Sequence, residues 1–559
     1  MNEQFFQDRY PEGFPKSVDV NKFSSVIEIF NSFVKKYADR PAFTCLGQTL
    51  TYAELDEKSA AFAAYLQNET TLQAGDRIAV QLPNVLQYPV VVFGAMRAGM
   101  IVVNTNPLYT EREMEHQFND SGAKALVVLA NMGDKAMKVV PKTGIKHVIV
   151  TQVGDMHCPF KRLLINGVLK YVKKEVPAFS IAGSVPLRSA LSKGAGKQYT
   201  PVPATADDIA VLQYTGGTTG VAKGAMLTHG NLMANMMQSD GVFTQILNEA
   251  EETVICPLPL YHIYAFTVHC MVLLQTGNHN ILIPNPRDIP GFIKTLEKTE
   301  FTGFVGLNTL FVALCGQESF RALDFSNLKL TVSGGMALTK AAFDEWKQVT
   351  GCEVAEGYGM TETSPVVSFN PPGAIIQGTI GMPVPNTVCK VIDEEGNDLP
   401  VGEPGELCVK GPQVMKGYWQ RPEATAETMT ADGWLKTGDM AVIREDGYMQ
   451  IVDRKKDMII VSGFNVYPNE VEDIIVGHPD VIEAAAIGIP DPKSSEAVKV
   501  FVVSKNPALT EKDVIAYARE NLTAYKVPKT IEFREELPKT NVGKILRREL
   551  RDEELAKHK

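Results

Sequence analysis

No run of apolar residues in this sequence is long and clean enough to cross a bilayer. The most apolar stretch, from Val254 to Leu274, is broken by Pro257, Pro259, His262 and His269. It reads as a buried strand followed by a buried helix. The amino-terminal MNEQFFQDRYPEGFP carries early acids and lacks an apolar h-region, so no secretory leader is expected. Cysteine is sparse: the eight residues are scattered, and no two form a C-x-x-C pair. That excludes a disulfide scaffold and points to reduced, mostly buried thiols in a cytosolic protein. A basic excess is also missing. The net charge of −10 argues against nucleic acid as a partner, since a large footprint needs a positive field. Internal repeats and low-complexity segments are absent as well. What remains is 559 residues of ordinary globular composition, enough for roughly two to four domains with cores that need no covalent staple.

The pattern that is present alternates short β-branched runs with longer helical ones. RIAVQLP reads as a strand, NVLQYPVVVFGAMRAG as a helix and MIVVNTNP as the next strand. ALVVLA (125–130) and HVIVT (147–151) add parallel-type strands that are apolar on both faces. This is an α/β chain with doubly wound sheets. From about Gly381 the pattern changes to short strands between Gly/Pro turns, as in an antiparallel sheet or small barrel. A charged run, DRKKD, then separates about a hundred residues with strands and helices of their own. The expected organisation is a large body over 1–452, with its β-barrel-like subdomain at about 381–452. A hinge follows at 453–457, and a small mobile α+β domain at 458–559.

The segment VLQYTGGTTGVAKGAMLTHGN (211–231) concentrates phosphate chemistry. Gly216, Gly217, Gly220 and Gly224 let the backbone approach a ligand closely. Thr215, Thr218 and Thr219 offer hydroxyls, and Lys223 a cation. Successive N–H groups in such a loop form an anion nest. Because the loop follows a strand and precedes the helix-like NLMANMMQ, a helix N-terminus is expected to assist. The loop is not a Walker A sequence, because Lys223 is followed by Gly224 and Ala225. Nor is it G-x-G-x-x-G.

YTGGTTGVAKGA resembles the phosphate-loop signature of the adenylate-forming superfamily, which comprises acyl-CoA synthetases, peptide-synthetase adenylation domains and luciferases. Four more signatures follow in that family's order: SGGMAL (333–338), EGYGMTETSP (356–365), TGD (437–439) with DRKKDMIIVSGFNVYPNEVE (453–472), and PKTNVGKILRREL (538–550). The resemblance spans essentially the whole chain. It implies ATP as co-substrate with Mg²⁺, the ion held by Glu362 with help from Thr215. A hard cation of this kind takes one or two carboxylates plus substrate phosphates. It places Thr361 at the α-phosphate and Gly335, Gly357 and Tyr358 against adenine. Asp439 is implied at the ribose, with Arg454 beside it. Lys544, on Gly-rich TNVGK, is the implied catalytic residue. Adenylation drives a carboxylate against the α-phosphate, and a flexible point charge between the two anions stabilises the charge that develops.

The family's second half-reaction transfers the acyl group after the small domain rotates about the hinge, for which Asp453 is the candidate. Rotation would present Ser462, Gly463 and Phe464 to the pantetheine arm of coenzyme A. Arg454, Lys455 and Lys526 are implied as contacts for its nucleotide. Residues 432–456 are similar to the extended signature of fatty acyl-CoA synthetases, but carry Lys436 where His is common and Ala441 where Gly is common. PLPLYHIYAF (257–266) occupies the family's acid-pocket position, with Tyr261 and His262 as its mouth. Apolar VGLNTLFVAL, beginning at Val305 and Gly306, resembles bacterial long-chain fatty acid–CoA ligases. A chain in such a tunnel gains ~0.8 kcal/mol per buried CH₂. The expected substrates are therefore a long-chain fatty acid, ATP and coenzyme A. A medium-chain or aromatic acid remains open, as does an adenylating enzyme loading a carrier protein in trans, although no carrier domain follows Lys544. A luciferase-like oxidation and a catalytically dead lipid-binding protein are further readings; intact Glu362, Asp439 and Lys544 argue against the last. A homodimer is left open.

One motif lies outside this chemistry. KRLLINGVLKYVKKEV, from Lys161 to Val176, puts Leu164, Ile165, Val168, Leu169 and Val172 on one helical stripe flanked by Lys161, Arg162, Lys170, Lys173 and Lys174. It reads either as a surface helix packed on the core, the commoner arrangement, or as a basic helix resting on anionic lipid. The second reading would make a cytoplasmic protein peripheral to the inner face of the membrane.

Overall fold

The computed structural model describes residues 2–215, 222–462, 464–491, 494–540 and 544–557. Two large sheets form the body. In the first, the spatial order is Val185–Pro186, His147–Thr151, Ala123–Leu129, Arg77–Gln81, Ile101–Asn104, Ile209–Thr215 and Lys223–Thr228. Its neighbours are parallel except for the last pair, an antiparallel hairpin. The second runs Met382–Pro383, Val366–Phe369, Val354–Gly359, Leu330–Ser333, Gly303–Gly306, Thr253–Cys256, His279–Leu282, Pro41–Cys45 and Gln48–Thr51. Its six central strands are parallel. Helices cover both faces, which is why these strands are apolar on both sides. The helix Gln87–Arg97 is buried along its whole length, matching its apolar circumference.

A chain of buried polar contacts aligns the two sheets. Tyr88 donates to Asn104 Oδ1 at 2.8 Å, Asn104 to Gln213 Oε1 at 3.0 Å, and Gln213 to the Tyr261 carbonyl at 3.0 Å. Asn84 adds a second tie, donating to the Leu258 carbonyl (2.8 Å) and accepting from the Leu260 N–H (2.8 Å). As a result, the carboxyl ends of both sets of parallel strands open onto one cleft, the usual ligand position in α/β sheets.

Of the two arrangements open to the β-rich segment, the chain adopts an antiparallel meander: Val388–Ile392, Pro404–Lys410, Leu435–Ile443 and Met449–Arg454. Gly381 precedes a short strand that belongs to the second large sheet. Beyond Arg454 a separate sheet of Phe464–Val466, Ile459–Val461, Ser495–Ser504, Val481–Asp491 and Thr530–Phe533 carries its own apolar core. Asp453 sits at the junction, buried. It accepts from the Arg454 N–H (2.6 Å) and the Asn469 N–H (2.7 Å) and faces the Arg547 guanidinium at 3.6 Å. Burial pushes its carboxyl up to about 6, against the pull of Arg547.

Residues 161–176 differ from the stripe expected for them. A helix, Pro159–Gly167, continues through a wider turn, Val168–Val172, and no residue of either is buried. Ile165, Val168 and Leu169 are half-covered on the body side, whereas Leu164 and Val172 are exposed together with Phe160, Leu163 and Tyr171. Packing on the core therefore does not account for the outer apolar face.

Candidate active site

Thr215 ends its strand and pairs in register with Lys223 across the hairpin, so both reach the cleft from the loop's two stems. Gly216, Gly217, Thr218, Thr219 and Gly220 lie outside the described residues. The expected assistance from a helix N-terminus is corrected here. The strand Lys223–Thr228 intervenes, and the helix His229–Phe243 starts from Thr228, which lies by Ile209 at the far end of the hairpin. At about 3.4 Å per residue that end is too distant to touch a phosphate held at the loop. Lys223, whose ammonium lies 5.1 Å over the Tyr418 ring, is the cation at this stem.

The wall expected to hold the nucleoside is built from two sheets. Tyr358, in the strand Val354–Gly359, donates to Asp439 Oδ2 at 2.6 Å, and Arg454 Nε lies 3.6 Å from Asp439 Oδ1. Asp439 and Arg454 are partners in the antiparallel ladder, which sets their separation. Burial, with Asp439 next to it, holds the Tyr358 phenol well above its ordinary range, so it stays a donor. Gly335, which lines the same wall, has φ +85°, a conformation open to glycine at no steric cost. Gly357 lines the wall beside it.

Thr361 and Glu362 occupy a short turn, Thr361–Thr363, that follows this strand. Glu362 is buried, and one carboxylate oxygen accepts the Tyr418 hydroxyl at 2.6 Å. Burial raises its pKa; the Tyr418 hydrogen bond and Lys223 oppose the shift. A desolvated carboxylate with a hydroxyl-bearing Thr215 lining the same cleft suits a hard divalent cation. Among the described residues no group of three or more His, Cys, Asp or Glu could hold a metal alone. Substrate phosphates and water must then complete any coordination, as is usual for Mg²⁺.

Lys544 enters this cleft from the small domain. Its N–H donates to Thr540 Oγ1 (3.0 Å) and its carbonyl accepts from the Thr540 N–H (2.7 Å). Burial, reinforced by Arg454 and opposed by Asp439, pushes the ammonium down to about 8. The cleft therefore gathers Thr215, Lys223, Gly335, Gly357, Tyr358, Thr361, Glu362, Asp439, Arg454 and Lys544. Ser462, Phe464 and Lys526 do not line it. Phe464 stacks on Tyr525 at 4.8 Å, and Lys526 pairs with Glu470 at 2.6 Å. Gly463 lies outside the described residues.

Tyr261 and His262 line the cleft. Burial pushes His262 down to about 4, leaving a neutral ring whose Nδ1 accepts from the Tyr264 N–H at 3.3 Å. Val305 and Gly306 instead lie within a buried strand, where a Cβ on Gly306 would meet the Phe311 ring at 2.7 Å. The wall comes from the next residues, Leu307, Thr309 and Val312, together with Val242, Phe243 and Val268. Two further residues of the cleft were not singled out from the sequence. Tyr418, in KGYWQ, is identified through its bond to Glu362. Glu356 is pushed up to about 7 by burial and accepts from the Leu338 N–H at 3.0 Å. It stands inside a quoted signature, and its burial is the signal that sequence lacks.

The AMP-binding enzyme family model matches residues 30–419, and that of the AMP-binding enzyme C-terminal domain matches residues 470–544. The long-chain-fatty-acid–CoA ligase of Escherichia coli is 52% identical over 98% of this chain and 97% of its own length. That of Haemophilus influenzae is 52% identical over 100% and 99%. ATP-bound MatB from Rhodopseudomonas palustris superposes with a TM-score of 0.81 at 30% identity, covering 94% of this chain and 98% of that one. With two family models in chain order and relatives 52% identical over nearly their full length, the chain belongs to the AMP-binding enzymes of the adenylate-forming superfamily.

Proposed function

We propose that the protein couples a long-chain fatty acid to coenzyme A through an acyl-adenylate, releasing pyrophosphate and then AMP. The observation that carries this reading is the convergence of Lys544, Glu362 and the Tyr358–Asp439 pair on one cleft that also has an apolar stretch of wall, with Val242, Phe243, Val268, Leu307 and Val312. Relatives 52% identical over nearly full length are named for this activity.

In the first half-reaction a carboxylate oxygen of the acid attacks the α-phosphorus, and the bond to the β-phosphate breaks. Lys544 lies between the two anions and stabilises the charge that builds on the α-phosphate. Thr361 donates to the same phosphate. Lys223 and the loop stems hold the β- and γ-phosphates. Asp439, kept in place by Tyr358 and Arg454, accepts the ribose hydroxyls. Glu362 and Thr215 would hold Mg²⁺, which screens the charge of the pyrophosphate. The closed cleft keeps water from the adenylate.

In the second half-reaction the thiol sulfur of coenzyme A attacks the acyl carbonyl carbon. The thiol proton is lost, the carbon–oxygen bond to AMP breaks, and AMP leaves. Rotation of the small domain about Asp453 would withdraw Lys544 and bring the face bearing Ser462, Phe464 and Lys526 to the cleft. That those three residues lie off the cleft lining while Lys544 is part of it supports a two-state use of the domain.

The test is a panel of acids from acetate to octadecanoate, with benzoates, each incubated with Mg-ATP with and without coenzyme A. Hexadecanoate-dependent pyrophosphate release and a coenzyme A-dependent thioester are the expected results. Pyrophosphate release without any thioester would point to a carrier protein as acceptor. Preference for benzoates or medium chains would overturn the substrate class.

A further inference from the structure

We infer that residues 159–174 form a docking surface for an anionic lipid bilayer. The helix Pro159–Gly167 is fixed to the body by one side. Asn166 accepts from the Gly154 N–H (2.8 Å) and donates to Asp155 (3.2 Å), and Lys161 reaches the Gly47 carbonyl at 3.3 Å. The opposite side carries Phe160, Leu163 and Leu164, spaced i, i+3 and i+4 on the helix, and Tyr171 follows in the wide turn Val168–Val172. Their exposures are 78%, 75%, 55% and 73%, with Val172 beside them at 74%. Five of the thirteen large apolar side chains exposed among the described residues thus fall in one short stretch. Single exposed apolar residues need no explanation, but a contiguous crest on a firmly seated helix does.

Charge selects the occupant. Arg162, Lys170, Lys173 and Lys174 lie close to the crest in sequence, with Glu175 as the one carboxylate between Lys161 and Val176, on a chain whose net charge is −10. Glu175 lies 4.0 Å from Lys173 in an exposed pair that water screens. An acidic chain that gathers its cations around its apolar crest is matched to a surface that is greasy beneath and anionic on top. A second copy of the same face would bring like charges together, which disfavours self-association through it. No helix among the described residues is long and apolar enough to cross a membrane, so the contact is one of lying on the surface.

The experiment is cosedimentation of the full chain with vesicles of phosphatidylcholine alone or mixed with phosphatidylglycerol. Binding is expected only to the mixed vesicles and is expected to weaken as salt rises. Replacing Lys170, Lys173 and Lys174 by Gln should weaken it by about a hundredfold. The triple variant Phe160→Ser, Leu163→Ser, Tyr171→Ser should weaken it tenfold or more. Both variants should keep wild-type pyrophosphate release with a water-soluble acid, which shows that the chain is folded. Equal binding to both kinds of vesicle, or unchanged binding by either variant, would overturn the proposal. So would a wild-type dimer, seen by sedimentation, that the serine variant converts to a monomer.

Discussion

The ammonium of Lys544 is pushed down from an ordinary 10.5 to about 8, first by burial and next by Arg454, with Asp439 working in the opposite direction. If this cation bridges the acid and the α-phosphate, adenylation must fail as the proton leaves. At pH 7 about nine-tenths of the free enzyme carries the charge and at pH 9 about one-tenth, so kcat/KM should fall about tenfold per pH unit above 8. Unfolding does not confound this. A lysine whose folded pKa lies below its unfolded value adds stability as pH rises from about 8 toward 10.5, because the unfolded chain then holds the extra proton. The assay is hexadecanoate-dependent pyrophosphate release without coenzyme A, which removes the titration of the thiol. Lys456, at the rim of the same cleft, is also pushed down to about 8, so substitution must assign the limb. In Lys544→Arg, which stays charged, the alkaline limb should disappear. In Lys544→Ala the rate should fall by about a hundredfold or more, while attack of coenzyme A on supplied acyl-adenylate persists. A limb unchanged in the arginine variant would refute the assignment. Equal loss of both half-reactions in the alanine variant would refute the two-state use of the small domain.

Two other substitutions probe the cleft. Tyr358→Phe removes a 2.6 Å hydrogen bond to the Asp439 carboxylate, a class of bond that contributes ~1.5–3 kcal/mol. The KM for ATP should rise about tenfold or more while that for the acid stays near wild type, and an unchanged ATP KM would remove Asp439 from the ribose site. Gly359→Ala would put a Cβ 2.1 Å from the Pro365 carbonyl oxygen, forcing apart the backbone that carries Thr361 and Glu362. The expected cost is ~1–3 kcal/mol of stability, with loss of the thermal shift that Mg-ATP produces; an unchanged shift would mean that the turn tolerates the displacement.

Residues expected to meet charged or hydroxylated ligand groups were legible as motifs because such contacts demand a particular atom at a particular distance. Thr215, Tyr358, Glu362, Asp439 and Lys544 stand in short motifs and reach one cleft from segments far apart in the chain. Strands such as Arg77–Gln81 and Ala123–Leu129 were legible because burial on both faces leaves continuous β-branched runs. The hairpin strand Lys223–Thr228 was not, because Gly224 and Lys223 read as part of the loop and its pairing with Ile209–Thr215 depends on tertiary register. The single apolar stripe expected over residues 161–176 is instead divided, with Ile165, Val168 and Leu169 half-covered and Leu164 and Val172 exposed. The wide turn Val168–Val172 departs from a period of 3.6, and the half-covered side is chosen by Asn166 and Lys161, polar contacts with no hydrophobic signature. Tyr418 was missed because a lone aromatic announces a partner only once Glu362 is beside it.

Acid choice is the part of the site least written into motifs, and the physics explains why. Dispersion and burial have no direction, so any apolar side chain of suitable size can build the wall. Here it is drawn from Val242 and Phe243 on one helix, Val268 on another, and Leu307 and Val312 beyond a strand. A long chain gains from such a wall in proportion to the methylenes it covers, ~0.8 kcal/mol each. Shortening the room should therefore penalise hexadecanoate and leave octanoate nearly untouched. Val268 is buried, lines the cleft and lies in the helical turn Phe266–Val272. In Val268→Phe the added ring would exclude about two to four methylenes. The ratio of kcat/KM for hexadecanoate to that for octanoate should then fall by about tenfold to a hundredfold. Pyrophosphate release with octanoate is the internal control for folding. If both acids lose rate equally, the substitution has only strained the core. If the ratio is unchanged, the acyl chain does not run past Val268.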